Sequence, residues 1–153
     1  YNRIAFPFCN GIALFNRHVM AKSKCLSADV TAAYDPTYAS MYEFNNSTFL
    51  NNGVAMSKYT GGRGKSGTSE ATAELVSEIR SIFEKNDVLW QTGEMGKVDA
   101  GGGGTVAMYI ANLNVDVVDV GVPVLSMHAP FEVVSKLDVY MTYRGIRSFY
   151  EAK

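Results

Sequence analysis

The hydrophobic positions of this chain change period several times along its length. Between Ala13 and Lys24 the residues Leu14, Phe15, His18 and Val19 fall near one side at helical spacing, with Gly11 just before them, which predicts a helix. Lys24 to Val30 reads as a short strand with Asp29 near its end, and Asp35-Pro36 marks a turn. Residues 37–52 are irregular, mixing aromatic and small polar side chains, and 53–59 can extend before the glycines at 61, 62 and 64. Thr68, Ser69 and Glu70 open a second helix that runs to about Lys85 and buries Ala71, Leu75, Val76, Ile79, Ile82 and Phe83. Asn86 and Asp87 close it, and Val88 to Thr92 resembles a strand.

A turn with Gly93 and Gly96 and the four glycines at 101–104 follow, before a helix from Thr105 to about Ala111. Val115–Val120 is a strand-forming run and Val122–Met127 a second run or its continuation, and Pro123 argues against a fully paired central strand at that point. The last helix begins at Phe131 or Val133 and reaches Glu151, packing through Val133, Leu137, Tyr140, Met141 and Phe149. The alternation of helix and strand predicts an α/β fold with helices covering a sheet. There is no internal repeat and no linker that would split the chain. Residues 34–59 are expected to form an active-site or assembly excursion.

Composition narrows the function. At 153 residues, 47% of them apolar, the chain is one domain or a large piece of one and can bury a substantial core. A net charge of -1 disfavours a broad nucleic-acid surface, leaving Lys58 to Lys65 as the one local basic stretch, more simply a solvated loop. Cys9 and Cys25 form no C-x-x-C pair and are expected to be buried free thiols. No apolar run approaches the ~18 residues of a membrane span. The chain starts at Tyr1 without the pattern of a signal peptide, so a cytoplasmic setting is expected, where the Asn46 sequon is without meaning.

Few residues can carry chemistry. His128 follows Val124-Leu125-Ser126-Met127, in a loop ahead of the last helix. A neutral imidazole there can bind zinc or serve as a hydrogen-bonded structural histidine. His18 lies on an amphipathic helix and reads as packing or surface. Asp29 ends another apolar run, where a carboxylate can hold a metal or cap a turn. The two are far apart in sequence, so only a fold that joins their strand ends makes them a pair. Gly101–Gly104 followed by Thr105 can bring backbone amides to a ligand, or simply turn tightly. Neither this run nor Gly61 to Ser66 has phosphate-loop spacing, so nucleotide binding is disfavoured.

Three segments taken in order are more specific. Ser27-Ala28-Asp29-Val30, Asp99 through Val106, and Val120 through His128 resemble successive parts of the aminopeptidase I/aspartyl aminopeptidase family, metallopeptidase family M18. Ala129-Pro130-Phe131-Glu132 and Asp138-Val139-Tyr140 continue the similarity. The resemblance implies the C-terminal part of a three-layer α/β/α zinc-peptidase catalytic domain, spanning residues 1–153. It implies that Asp29 and His128 are zinc ligands, in a site of two zinc ions, and that Glu132 either supports the ligand histidine from behind or starts the following helix. Lys58, Gly103, Gly104 and Thr105 become substrate-side candidates. The remaining ligands and the general-base glutamate belong to motifs not found here, and neither Glu94 nor Glu132 takes their role.

The implied activity of the complete protein is release of N-terminal amino acids from peptides. Its implied partners are peptide substrates, the remaining segment of the catalytic domain and a large homo-oligomer, with no nucleic acid and no membrane. This chain alone is expected to be inactive. The alternatives are a regulatory paralogue of the same fold and a related metallohydrolase acting on another peptide or amino-acid derivative. Family members specific for acidic residues carry histidine three residues after the aspartate ligand. Ala32 stands there in this chain, which puts aspartyl specificity in doubt.

Overall fold

The computed structural model describes residues 6–59, 61–63, 66–97 and 99–152, with the backbone alone for residues 6–13. Helix α1 (Phe6–Ala21) leads into strand β1 (Lys24–Ala32). Two 3-10 helices (Pro36–Met41 and Phe44–Asn46) precede β2 (Val54–Ser57), α2 (Ala73–Lys85) and β3 (Trp90–Thr92). The short α3 (Ala107–Ala111), β4 (Asp116–Leu125), β5 (Val133–Val134) and α4 (Lys136–Glu151) complete the chain. The sheet is mixed, in the order β1-β4-β2-β3 with β5 added to β4. β1 runs parallel to β4, whereas β2 and β5 run antiparallel to it.

Alternation along β4 gives the sheet two unlike faces. Val118 and Val120, with Val54 and Met56 of β2, pack against Leu75, Ile79 and Phe83 of α2 in the main core, with Met141 and Phe149 of α4 at its margin. On the other face lie Asp119 and Gly121. The strand register sets Ser27 and Asp29 of β1 beside them on one side, and Ser57 and Ala55 of β2 on the other. One face is therefore an apolar seat for helices, and the other is small and polar.

Several expected boundaries move, each for a local reason. β4 is one strand through Pro123, which is aligned with Thr31 of β1. Pairing with β2 stops at Gly121 and pairing with β5 starts at Val124, so Pro123 sits in a gap where no ladder bond is needed on that side. Val133 and Val134 join the sheet as β5, and α4 starts only after Ser135, whose hydroxyl accepts from the Leu137 and Asp138 amides. Similarly, α2 is capped by Thr72 rather than by residues 68–70. The chain before it is held extended by the Tyr59–Glu70 bridge and the Ala71 amide bond to Lys58. α1 begins well before Gly11, with Pro7 in its first turn, where a missing N–H is harmless. It ends at Ala21 in a turn in which Lys22 and Ser23 donate to Val19 and Met20.

The stretch 34–59 contains two kinds of structure. Tyr34, Tyr42, Phe44 and Phe49 form a cluster of edge-on and tilted rings with centroid separations of 5.2–5.6 Å. The end of the stretch is β2, every residue of which is buried. Between them, the fully buried Asp138 of α4 accepts from the amides of Asn51 and Gly53 at 2.9 and 2.8 Å.

Candidate metal and substrate site

Asp29 lies in β1 three residues before its last residue, level with Gly121 of β4. His128 lies three residues beyond the last residue of β4. Because β1 and β4 are parallel neighbours, both residues belong to the same end of one strand pair. Such ends, with the loops that leave them, are where open α/β sheets place ligands. The sheet thus joins two positions separated by most of the chain.

The Asp29 side chain is exposed, and its Oδ1 accepts from the Val30 amide at 2.7 Å. The loop after β4 is tightly wound, with Ser126 and His128 at φ 58° and 67°. Left-handed backbone is uncommon for residues other than glycine and persists where surrounding bonds hold it. Two such bonds are present. The Ala129 amide donates to the Ser126 carbonyl at 2.9 Å, and the His128 amide donates to Glu132 Oε1 at 2.6 Å. Glu132 therefore holds the backbone of His128, not its ring, and leaves the exposed imidazole available.

A carboxylate and an imidazole are a donor set that zinc accepts, but a zinc site needs four donors, or three with an open position for water. Among the described residues there is no group of three or more His, Cys, Asp or Glu side chains able to hold a metal. The chemistry of the pair fits the ion, and its number falls short of a complete site.

The remaining candidates separate. Lys58 follows β2 and pairs with Glu70 at 2.6 Å, both about half exposed, so its charge is compensated rather than part of a basic patch. Lys65 lies outside the described residues. In the glycine run, close packing falls on Gly101 and Gly102. Gly102 has φ +103°, and a Cβ there would stand 1.9 Å from the Gly61 carbonyl oxygen. A Cβ at Gly103 or Gly104 would meet only ordinary contacts at 3.6 and 3.5 Å. Thr105 precedes α3 instead of starting it, and its hydroxyl donates to Asp119 Oδ2 at 2.9 Å. Ala32 is half-buried in β1, aligned with Val124.

Thr105 and Asp29 share a narrow crevice with Thr31, Ser57, Met95 and Asp119. Sequence reasoning missed Asp119. Its signal was a charge inside the valine-rich run 115–120, where strand alternation turns it away from the core. Cys25, expected to be buried, is partly exposed. Its thiol pKa is raised, first by partial burial and then by the negative charge of Asp119. Cys9 lies outside the described side chains, and the exposed His18 agrees with a surface reading.

The aminopeptidase I zinc metalloprotease (M18) family matches residues 2–150. The probable M18 family aminopeptidase 1 of Clostridium acetobutylicum is 48% identical over 133 residues, covering 87% of this chain and 29% of that protein. Its counterpart from Thermotoga maritima is 44% identical over 133 residues, covering 87% of this chain and 30% of its own length. The crystal structure of the Clostridium acetobutylicum aminopeptidase I superposes with a TM-score of 0.83 at 48% identity, covering 87% of this chain and 29% of that one. The Thermotoga maritima structure gives 0.85 at 42% identity, covering 89% and 30%. The chain thus spans about 30% of the length of these relatives. It belongs to the aminopeptidase I zinc metalloprotease (M18) family.

Proposed function

We propose that this chain forms the C-terminal portion of the catalytic domain of a zinc aminopeptidase that releases N-terminal amino acids from peptides. Asp29 and His128 would each supply a zinc ligand. The observation that carries this reading is the placement of both donors at one end of the parallel pair β1–β4 in a chain of this family. The other ligands and the general base would come from the rest of the protein. Among the described residues, β1 pairs only with β4, so its second edge is open to a further strand of that remainder. By this reading the chain alone is inactive.

Zinc bound there would polarise the scissile carbonyl and lower the pKa of an attacking water. The chain's own residues would hold and shape. Asp29 presents its carboxylate from a rigid strand. Glu132 fixes the backbone that carries the imidazole, and Thr105, which follows the glycine run, lines the adjoining crevice. With Ala32 in place of an imidazole, we propose a preference broader than acidic N-terminal residues. A large homo-oligomer is also proposed. One solved structure of this fold, 21% identical with a TM-score of 0.69, is the S. cerevisiae mApe1 dodecamer.

The test uses the full-length protein that contains this chain. Purified with zinc, it should release the first residue from unblocked peptides and leave N-acetylated ones intact. Asp29→Asn and His128→Ala should each lose zinc and activity together. Full activity and full zinc content in either variant would remove that residue from the site.

A further inference from the structure

We propose that Asp119 is a positioning residue for the peptidase reaction, acting through Thr105 to fix the glycine segment 101–104 as a rigid backbone wall leading into the crevice that Thr105 shares with Asp29. The inference rests on the aminopeptidase reading above. Asp119 is 7% exposed, in a strand otherwise built of valine, glycine and proline between Val117 and Val124. A carboxylate at such a place is costly unless hydrogen bonds compensate it. An apolar residue would pack there without that cost, so stability of the sheet does not account for the acid.

What the acid holds accounts for it. Asp119 Oδ2 accepts from the Thr105 hydroxyl at 2.9 Å. Thr105 closes the glycine run, whose other end is fastened separately. The Gly101 amide donates to Lys97 at 2.7 Å, the Arg63 amide donates to the Gly101 carbonyl at 3.0 Å, and Gly102 abuts the Gly61 carbonyl. The run is therefore tied at both ends. Between the ties a Cβ on Gly103 or Gly104 would meet only ordinary contacts, and Gly104 is exposed. A tethered segment without side chains offers main-chain N–H and C=O groups to an extended ligand at low ordering cost. A peptide main chain is such a ligand. Without the Thr105 bond, the wall loses a tie at its C-terminal end.

The test compares Thr105→Val, which keeps the shape and deletes the hydroxyl, with Thr105→Ser, which keeps the hydroxyl, in the zinc-loaded full-length protein. The substrates are unblocked aminoacyl nitroanilides and short peptides. Thr105→Val should leave zinc content and exchange in the α2–β4 core unchanged and speed deuterium uptake across residues 99–106. It should also raise KM by ~10-fold with a smaller change in kcat. Thr105→Ser should behave as the unsubstituted protein. An active enzyme whose KM is indifferent to Thr105→Val overturns the proposal, as does a serine variant that fails equally. An unsubstituted full-length protein that releases no N-terminal residue would instead sink the aminopeptidase reading itself.

Discussion

Gly121 of β4 faces Asp29 of β1 so closely that a Cβ on it would stand 1.2 Å from the Asp29 carbonyl oxygen. The contact ties the proposed metal ligand to a position that accepts no side chain. Gly121→Ala must push β1 away from β4 or break their register, and it does so at Asp29 itself. The expected cost exceeds about 4 kcal/mol, the range in which a single substitution reports a specific structural fault. Loss of the folded protein, or of zinc from what remains folded, is the predicted result. Circular dichroism and zinc content of the variant would check it.

Asp138 is the corresponding anchor for the segment before β2. Asp138→Ala leaves the Asn51 and Gly53 amides without their acceptor, at about 1–3 kcal/mol for each buried group left unpaired. The Gly53 bond is buried and that of Asn51 partly so, and the larger share is expected from Gly53. Asp138→Asn retains one acceptor oxygen and should recover part of the loss. Denaturation midpoints of the two variants give the comparison.

Glu132 is predicted to act on the metal without touching it. Glu132→Ala frees the His128 amide and the left-handed turn it holds, so zinc affinity should fall by about 10–100-fold, as when a residue orienting a metal ligand is removed. Glu132→Gln can still accept from that amide and should lose less. Zinc titration against a chelating indicator separates the two.

Cys25 gives a pH prediction. Its folded-state pKa is raised by partial burial and by Asp119, so the folded chain holds the thiol proton to higher pH than the unfolded chain does. The sign follows from proton binding. Stability is untouched below the ordinary thiol pKa, then falls as pH rises from there through the folded value. Alkylation of Cys25 at mildly alkaline pH should be slower than that of a free thiol, because the thiolate is the reactive form. Asp119→Asn should speed it by removing the coulombic part. An unchanged alkylation rate in that variant would contradict the role given to Asp119 here.

Much of the architecture was legible because two signals are local. The Leu75, Ile79 and Phe83 spacing located α2, a short apolar run located β1, and a valine-rich run located β4. The boundaries were less legible because distant partners set them. Residues 68–71 can begin a helix but are held by Lys58 and Tyr59, and Val133–Val134 can enter α4 but pair with Val124 and Leu125. Pro123 does mark a point where β4 is not fully paired, but only pairing geometry shows that one strand continues through it. Segment similarity singled out Asp29 and His128 as candidates, while their common strand end depends on which strands neighbour each other. Asp119 stayed hidden because nothing in its sequence context reveals a bond to Thr105.

The central claim is that Asp29 and His128 hold zinc together in the assembled protein. Anomalous diffraction at the zinc edge from crystals of the full-length protein tests it most directly. The account predicts zinc within about 2.0–2.2 Å of an Asp29 carboxylate oxygen and about 2.0–2.1 Å of a His128 ring nitrogen, in one metal cluster. Zinc bound elsewhere, with neither residue in contact with any ion, would contradict it.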